Sequence, residues 1–580
     1  MSDWRLNSLP LIFFLVGAAI IVRLFYWQIV KGEELAAIAE RQHFESLEIP
    51  ALRGEIRASD GSLLVGNQGT YLVYAEIPKL KKNASEVAHD LAPILALTEK
   101  STNSSQLDFK ALATQKEESI KVALERENAV WVPLAHKIED KTKREIENLS
   151  LSGLGFERED KRYYPEASMA AHLFGFVGSN EEGSDQGYFG VEGKYNLELK
   201  GRPGFLRQEK DAQGRPILLG KVITRSTENG RDLVLGIDRT AQFIVEKRLK
   251  EGIEKYGAKS GTVAVMEPQT GQILAMASFP HYDPDKFFLY DSALYPNPAV
   301  AFSYEPGSTF KVLVMAAALN EGVVAPETKC DKCGGPRTIA DYTIRTWNDK
   351  YYPDSTMMEV LEHSDNVGMV FVSEKLGQEK LYKYLLDFGI GQSSGIDLQE
   401  ESSPALRPKK EWYSIDWATA AFGQGVAVTP IQMLRAVGAI ANEGKLTEPH
   451  VVKEVVDAQG KVMKINPKVT RQVVSSKTAK VLTEMMINAV EKGEAKWAKP
   501  EGFRIAGKTG TAQIPISGHY DQDKTIASFV GFAPADNPRF TMIVTLSEPT
   551  SSPWGSETAA PLWFGISRDL FNYFGITPSQ

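Results

Sequence analysis

The run LPLIFFLVGAAIIVRLFYWQIV, Leu9 to Val30, carries a single charged side chain, Arg23. As a helix rising ~1.5 Å per residue it spans the hydrocarbon of a bilayer. Arg23 reads as snorkelling toward the head groups, and Phe25, Tyr26 and Trp27 as an interfacial belt. The alternative is a signal-peptide core, since the purest part ends at Val22. The small residues Ala37 and Ala39, however, lie well beyond the run. We therefore read residues 9–30 as an uncleaved transmembrane anchor behind a short cytoplasmic tail, residues 1–8. Charge sets its orientation weakly, because Asp3 offsets Arg5. No second span is visible, so everything after Lys31 is expected on one side of the membrane.

At 580 residues, 43% hydrophobic and 24% charged, the chain holds enough apolar material for two or three packed domains. Its net charge of −8 comes without a basic stripe, which excludes a nucleic-acid binder. The two cysteines, Cys330 and Cys333, stand in CDKC. A zinc site needs four ligands and no partner pair or His-Glu-x-x-His pattern accompanies them, so neither a metal nor a cofactor is expected. They make either a small loop-stapling disulfide, if the large domain is extracytoplasmic, or two free thiols; a redox role has the least support.

After the anchor, SLEIPALRGEIRASDGSLLVGNQGTYLVYAEI alternates β-favouring runs with an Asp60-Gly61 turn and predicts paired strands. Residues 85–149 are charged and read as helical, with solvated faces. A glycine-rich loop-and-strand region follows, and TRSTENGRD, Thr224 to Asp232, reads as a linker into a second unit. That unit opens with the helix DRTAQFIVEKRLKEGI. The stretch GTVAVMEPQTGQILAMASF predicts two strands turned at Pro268 to Gly271. A mostly helical middle runs from Ser308 to about Asn442. Further strands are expected in GFRIAGKTGTAQI, TIASFVGFAP and RFTMIVTLSE, the last two forming a hairpin across ADNP, before the closing helix PLWFGISRDLFNYFG. Strands, a helical block, more strands and a final helix imply an α+β domain whose sheet is assembled from both ends.

Within EPGSTFKVLVMAAAL, Ser308 and Lys311 stand three apart and share a helix face. Pro306 and Gly307 mark a helix start, whose free amides suit developing negative charge. A serine attacks poorly unless a base takes its proton. Lysine does so near neutral pH only after its pKa falls by about 3 units, roughly 4 kcal/mol, which burial and a second cation can supply. An apolar helix around Lys311 provides the burial. Alone the Ser-x-x-Lys spacing is weak, and each element could be structural: a serine cap, an asparagine cap, a strand-end turn. Two further segments accompany it. In HSDNV, the Ser364 hydroxyl can relay a proton to a leaving amine and the Asn366 amide can hold a substrate carbonyl. In AGKTGTAQ, Lys508 and Gly510 face the same way on a strand, so the ammonium projects beside a gap wide enough for a peptide. Thr509 and Thr511 add hydroxyls suited to a carboxylate.

The Ser-x-x-Lys, Ser-Asp-Asn and Lys-Thr-Gly set, in this order, resembles that of the class B penicillin-binding proteins, monofunctional peptidoglycan D,D-transpeptidases. The likeness covers nearly the whole chain. NPAVAFSYEPGSTFKVL, FGQGVAVTPIQM, AIANEGKLTEPHVV and TAAPLWFGISRDL are similar to that family's transpeptidase domain. LRGEIRASDGSLL, RYYPEA and GVEGKYNLELKGRPG are similar to its non-catalytic pedestal. The resemblance implies a pedestal over residues 31–230, with a dimerisation-like fold, and a transpeptidase domain over 231–580, an antiparallel sheet flanked by helices plus a helical subdomain. It further implies Ser308 as the acylated nucleophile, Lys311 as its base, Ser364 and Asn366 as the second motif, and Lys508 with Thr511 binding the donor's terminal carboxylate. Thr509 and Gly510 would line that subsite, and the backbone amides of Ser308 and Thr511 would form the oxyanion hole. Peptidoglycan stem peptides would be substrates and β-lactam antibiotics covalent inhibitors. The implied location is the cytoplasmic (inner) membrane, single-pass, with the catalytic domain outside. A SEDS-family glycosyltransferase and other cell-wall synthesis membrane proteins are the implied partners. Nothing ahead of the anchor could house a glycosyltransferase domain, which argues against a bifunctional class A protein, and no module follows the last helix. A β-lactamase, a β-lactam sensor and an inactive scaffold are the competing readings. The long pedestal and anchor weigh against the first, and the lack of further spans or a cytoplasmic signalling part against the second.

Overall fold

The runs GTVAVM and SFVGFA are apolar at successive positions, as expected of strands covered on both faces. The structure, a computed structural model, describes residues 4–35, 44–99, 106–181, 183–211, 217, 222–516 and 519–578. It divides the chain into two units, residues 1–53 with 200–230, and residues 54–199 with 231–580.

In the first unit the helix Trp4–Phe25 continues as a wider π-helical turn, Tyr26–Val30. Phe13 and Phe14 are 70% and 72% exposed, as lipid-facing side chains must be. Among the described residues Ser8–Val30 is the one helical stretch long and apolar enough to cross a membrane. The unit also holds a three-stranded antiparallel sheet in which Gly204–Glu209 lies between Phe44–Ile49 and Val222–Arg225.

The second unit is built on a five-stranded antiparallel sheet. Its strands are β1 (Ser260–Met266), β2 (Ile273–Phe279), β3 (Ala506–Ile516), β4 (His519–Ala533) and β5 (Phe540–Ser547), in the order β2-β1-β5-β4-β3. The N-terminal hairpin and the C-terminal three strands join through β1 and β5, with Val263 opposite Val544. Alternation then divides the side chains between two cores. Val263, Val265, Phe529 and Val544 pack with the helices α1 (Arg239–Tyr256) and α5 (Ala559–Phe574). Ala264, Met266, Val530 and Ile543 pack with α2 (Lys311–Asn320), α4 (Ser476–Lys492) and the helix Pro430–Ala441. The remaining helix of the site, α3 (Asn366–Leu376), packs on α2. On the first face Trp563 is fully buried, packs against Phe529 with ring centres 5.1 Å apart and the planes tilted by 54°, and donates its indole N–H to Met542 O at 2.8 Å. Burying each such ring contributes about 1.5–3 kcal/mol. Asp238 caps α1 by accepting from the Ala241 amide, and Gly257, in the left-handed region, ends it.

A second, mixed sheet runs in the order Val462–Lys464, Val452–Val456, Asp232–Leu235, Ile56–Arg57, Leu63–Glu76 and Trp131–Ile138, with Leu154–Tyr163 also paired on Leu63–Glu76. The predicted pairing around Asp60-Gly61 is present, Ile56 lying opposite Val65. The helical reading of 85–149 needs one correction. Helices Ala84–Glu99, Gln106–Leu124 and Asp140–Asn148 are interrupted by the strand Trp131–Ile138. Its Val132 and Ile138 are buried, and among the described residues the strand pairs only with Leu63–Glu76, so Pro133 is tolerated on an edge. Cys330 and Cys333 form a buried disulfide, which resolves the alternative left by the sequence.

Candidate active site

Ser308 sits in a 3-10 turn, Gly307–Phe310, that runs directly into α2. In a 3-10 turn positions three apart eclipse, and the Lys311 amide donates to the Ser308 carbonyl, so the two side chains share one face. Gly307 has φ +53, and a Cβ there would lie 2.8 Å from Thr511 O; both the backbone and the space require glycine. Ser308 is half-buried and its hydroxyl makes no hydrogen bond among the described residues, whereas Phe310 and Lys311 are fully buried.

The Lys311 ammonium nitrogen reaches the second motif. Its Nζ lies 2.6 Å from Ser364 O, 3.3 Å from Ser364 Oγ and 2.7 Å from Asn366 Oδ1. Two local features aim these acceptors. Ser364 adopts φ +55, a strained conformation for a residue with a Cβ, which turns its carbonyl toward Lys311. Asp365, not Asn366, caps α3 by accepting from the Val367 amide at 2.8 Å. The Asn366 side chain is thereby free to accept from Lys311 and to donate to Arg345 O at 3.0 Å. Asp365 was not singled out in the sequence; the only signal was its place between two residues that were.

The third motif approaches from β3. Lys508 is buried, and its Nζ contacts Thr509 Oγ1 at 3.2 Å and Thr509 O at 3.5 Å. Gly510 faces the Ser308 turn: a Cβ there would sit 2.8 Å from Thr309 Cγ2 and 3.0 Å from Pro306 O. The Thr511 carbonyl abuts Gly307, and N–H and C=O of one strand residue point to the same edge, so the Thr511 amide also faces the turn. Thr511 Oγ1 accepts from the Gly555 amide at 2.9 Å. Thr509 is the member the structure turns toward Lys508 and the cavity beside it.

Burial pushes Lys311 well below the ordinary amine range, and the charge of Lys508 pushes it further; Asp365 and Glu494 oppose both. Burial also lowers Lys508, against the pull of Glu494. Asp365 is raised by burial, against the backbone amides of Gly368 and Val367 and the charge of Lys311. A buried amine whose charge is disfavoured, with the Ser364 hydroxyl 3.3 Å from it, the Ser308 hydroxyl one 3-10 turn away and the charge of Lys508 acting on it, makes an arrangement able to move a proton off an alcohol.

An antiparallel sheet whose edge strand β3 sets Lys-Thr-Gly against the Ser308 turn of α2, with Ser-Asp-Asn at the start of α3 against Lys311, defines the class of penicillin-recognising proteins. Residues 261–571 match the penicillin binding protein transpeptidase domain, and residues 48–235 the penicillin-binding protein dimerisation domain. The chain is 34% identical to stage V sporulation protein D of Bacillus subtilis, over 96% of this chain and 84% of that protein. It is 29% identical to the probable peptidoglycan D,D-transpeptidase PenA of Neisseria meningitidis serogroup A, over 100% of this chain and 94% of that one. Among solved structures, a peptidoglycan synthetase from Bifidobacterium adolescentis superposes with a TM-score of 0.73 at 26% identity, covering 93% of this chain and 98% of that one. Penicillin binding protein 3 of Mycobacterium tuberculosis in complex with ampicillin gives 0.69 at 25% identity, covering 92% and 97%. The chain belongs to the class B penicillin-binding proteins.

Proposed function

We propose that the protein is a peptidoglycan D,D-transpeptidase that works through an acyl-enzyme on Ser308. The carrying observation is the fully buried Lys311 with its Nζ against Ser364 and Asn366, one 3-10 turn from Ser308. In the first half-reaction Ser308 Oγ bonds to the penultimate D-Ala carbonyl carbon of a stem peptide and loses its proton to neutral Lys311. The amides of Ser308 and Thr511 receive the oxyanion, each worth about 3 kcal/mol in such a site. The C–N bond breaks as the proton passes through Ser364 to the departing amine, and D-Ala leaves. In the second half an acceptor amine on a neighbouring strand attacks the ester, gives its proton to the same relay and frees Ser308. Asn366 holds the donor backbone; Lys508 and Thr511 bind its terminal carboxylate, with Gly510 leaving room for the peptide along β3. A β-lactam enters the first half and stays.

The names borne by the Neisseria relative and the ampicillin complex of the mycobacterial protein support this substrate class. We further infer a single-pass protein of the cytoplasmic membrane with its catalytic unit outside, partnered there by a SEDS-family glycosyltransferase. The apolar helix supports the anchor and the buried disulfide the oxidising side. The test is labelling with fluorescent penicillin: the wild type retains the label and Ser308→Ala takes none. Rapid antibiotic turnover would instead mark a β-lactamase, and an unlabelled wild type a scaffold.

A further inference from the structure

A polar cavity of about 10 Å³, room for a single water, lies beside Lys508 and is lined by Glu362, Glu494 and Thr509. Glu494 arrives there because the chain turns sharply after α4. A Cβ on Gly493 would sit 2.2 Å from Ala489 O and 3.0 Å from Glu362 O, so glycine alone permits the turn. Glu494 Oε1 is sealed from solvent and makes no hydrogen bond among the described residues. Glu362 is already engaged, its Oε2 accepting from Asn488 Nδ2 at 2.8 Å. Lys508 has no carboxylate in ion-pair contact among the described residues; its hydrogen bonds go to Thr509 alone. A buried ammonium and a buried, unpartnered carboxylate oxygen therefore face one small cavity. Both are costly unless each compensates the other.

We propose that Glu494 is a positioning residue: across a one-water gap its carboxylate holds Lys508 as an ammonium aligned for the substrate carboxylate, so that of the two buried lysines Lys311 is the one that surrenders its proton. The inference rests on the reading of Lys508 as the carboxylate anchor. Other charges face the pair. Lys311 approaches from α2, Asp365 from the cap of α3 and Glu362 from the helix Met357–Glu362. Asp365 and, after it, Glu494 favour the charge on Lys311, whose neighbour Lys508 opposes them; among the described residues Glu494 is the one charge that opposes the effect of burial on Lys508.

The test compares acylation of the full-length protein by benzylpenicillin and by its methyl ester, which lacks the carboxylate, across the pH range. Wild type prefers the free acid. In Glu494→Gln that preference falls about tenfold and the basic limb of the free-acid profile moves about one unit to lower pH, because an ammonium without its counter-charge loses its proton earlier. Glu494→Asp, which keeps the charge, restores both. A Glu494→Gln enzyme whose acid-to-ester ratio and pH limbs coincide with wild type overturns this inference alone, whatever happens to its overall rate or melting temperature. A wild type without any preference for the acid overturns the anchor reading, and this inference with it.

Discussion

The three acceptors around Lys311 Nζ set the state of the site at the scale of single residues. A charged Lys311 donates to Ser364 O, Ser364 Oγ and Asn366 Oδ1; a neutral one has only two protons, so the Ser364 hydroxyl turns and donates to it. That reversal lines up the proposed proton relay. Lys311→Arg keeps a permanent charge and cannot make it, so acylation by penicillin falls at least about a thousandfold, measured as a labelling rate. In wild type the rate climbs with pH as Lys311 deprotonates, on a limb well below 10.5, because burial and Lys508 both favour the neutral form. The same sign governs stability: the unfolded chain binds this proton where the folded one does not, so stability rises with pH between the two values. Ser364 supplies a second comparison. Glycine tolerates its φ of +55 and alanine does not, so Ser364→Gly melts as a protein about 1 kcal/mol more stable than Ser364→Ala, while both lose the relay. The three-residue spacing of Ser308 and Lys311 was legible because local geometry alone joins them. The left-handed Ser364 was not, since a serine in that region is imposed by the packing of α2 and α3.

At the scale of elements, the site depends on how closely β3 approaches the Ser308 turn. Gly510→Ala would place a Cβ 2.5 Å from Ser528 Oγ and 3.0 Å from Pro306 O. The Pro306 carbonyl belongs to the backbone and cannot rotate away, so the strand has to retreat. The expected outcome is a loss of about 1–3 kcal/mol in thermal or urea unfolding, with penicillin labelling falling far more than stability does. The strands β1, β4 and β5 were readable because both faces of the sheet are covered, leaving apolar runs rich in β-branched and aromatic side chains, TVAVM, IASFVGFA and FTMIV. Trp131–Ile138 was not, because a short edge strand between charged helices shows only two buried side chains, Val132 and Ile138. The parallel pairing of Leu233 with Ile56 leaves no local trace either, since nothing near one strand specifies a partner so far along the chain.

For the whole molecule the deciding matter is the side of the membrane on which the catalytic unit lies. The charges flanking the anchor decide little, since Asp3 offsets Arg5. The fold contributes a separate argument. Cys330 and Cys333 are fully buried and joined, and such a bond persists in an oxidising compartment but is kept reduced in a bacterial cytoplasm. The proposed chemistry requires the same side, because stem peptides are cross-linked outside. Protease added to intact spheroplasts should therefore digest the catalytic unit while sparing cytoplasmic markers. Maleimide applied to the denatured, unreduced protein should leave both cysteines unmodified until a reductant is added. Protection from the protease, together with two thiols that react without reductant, would place the unit in the cytoplasm and remove it from its substrate.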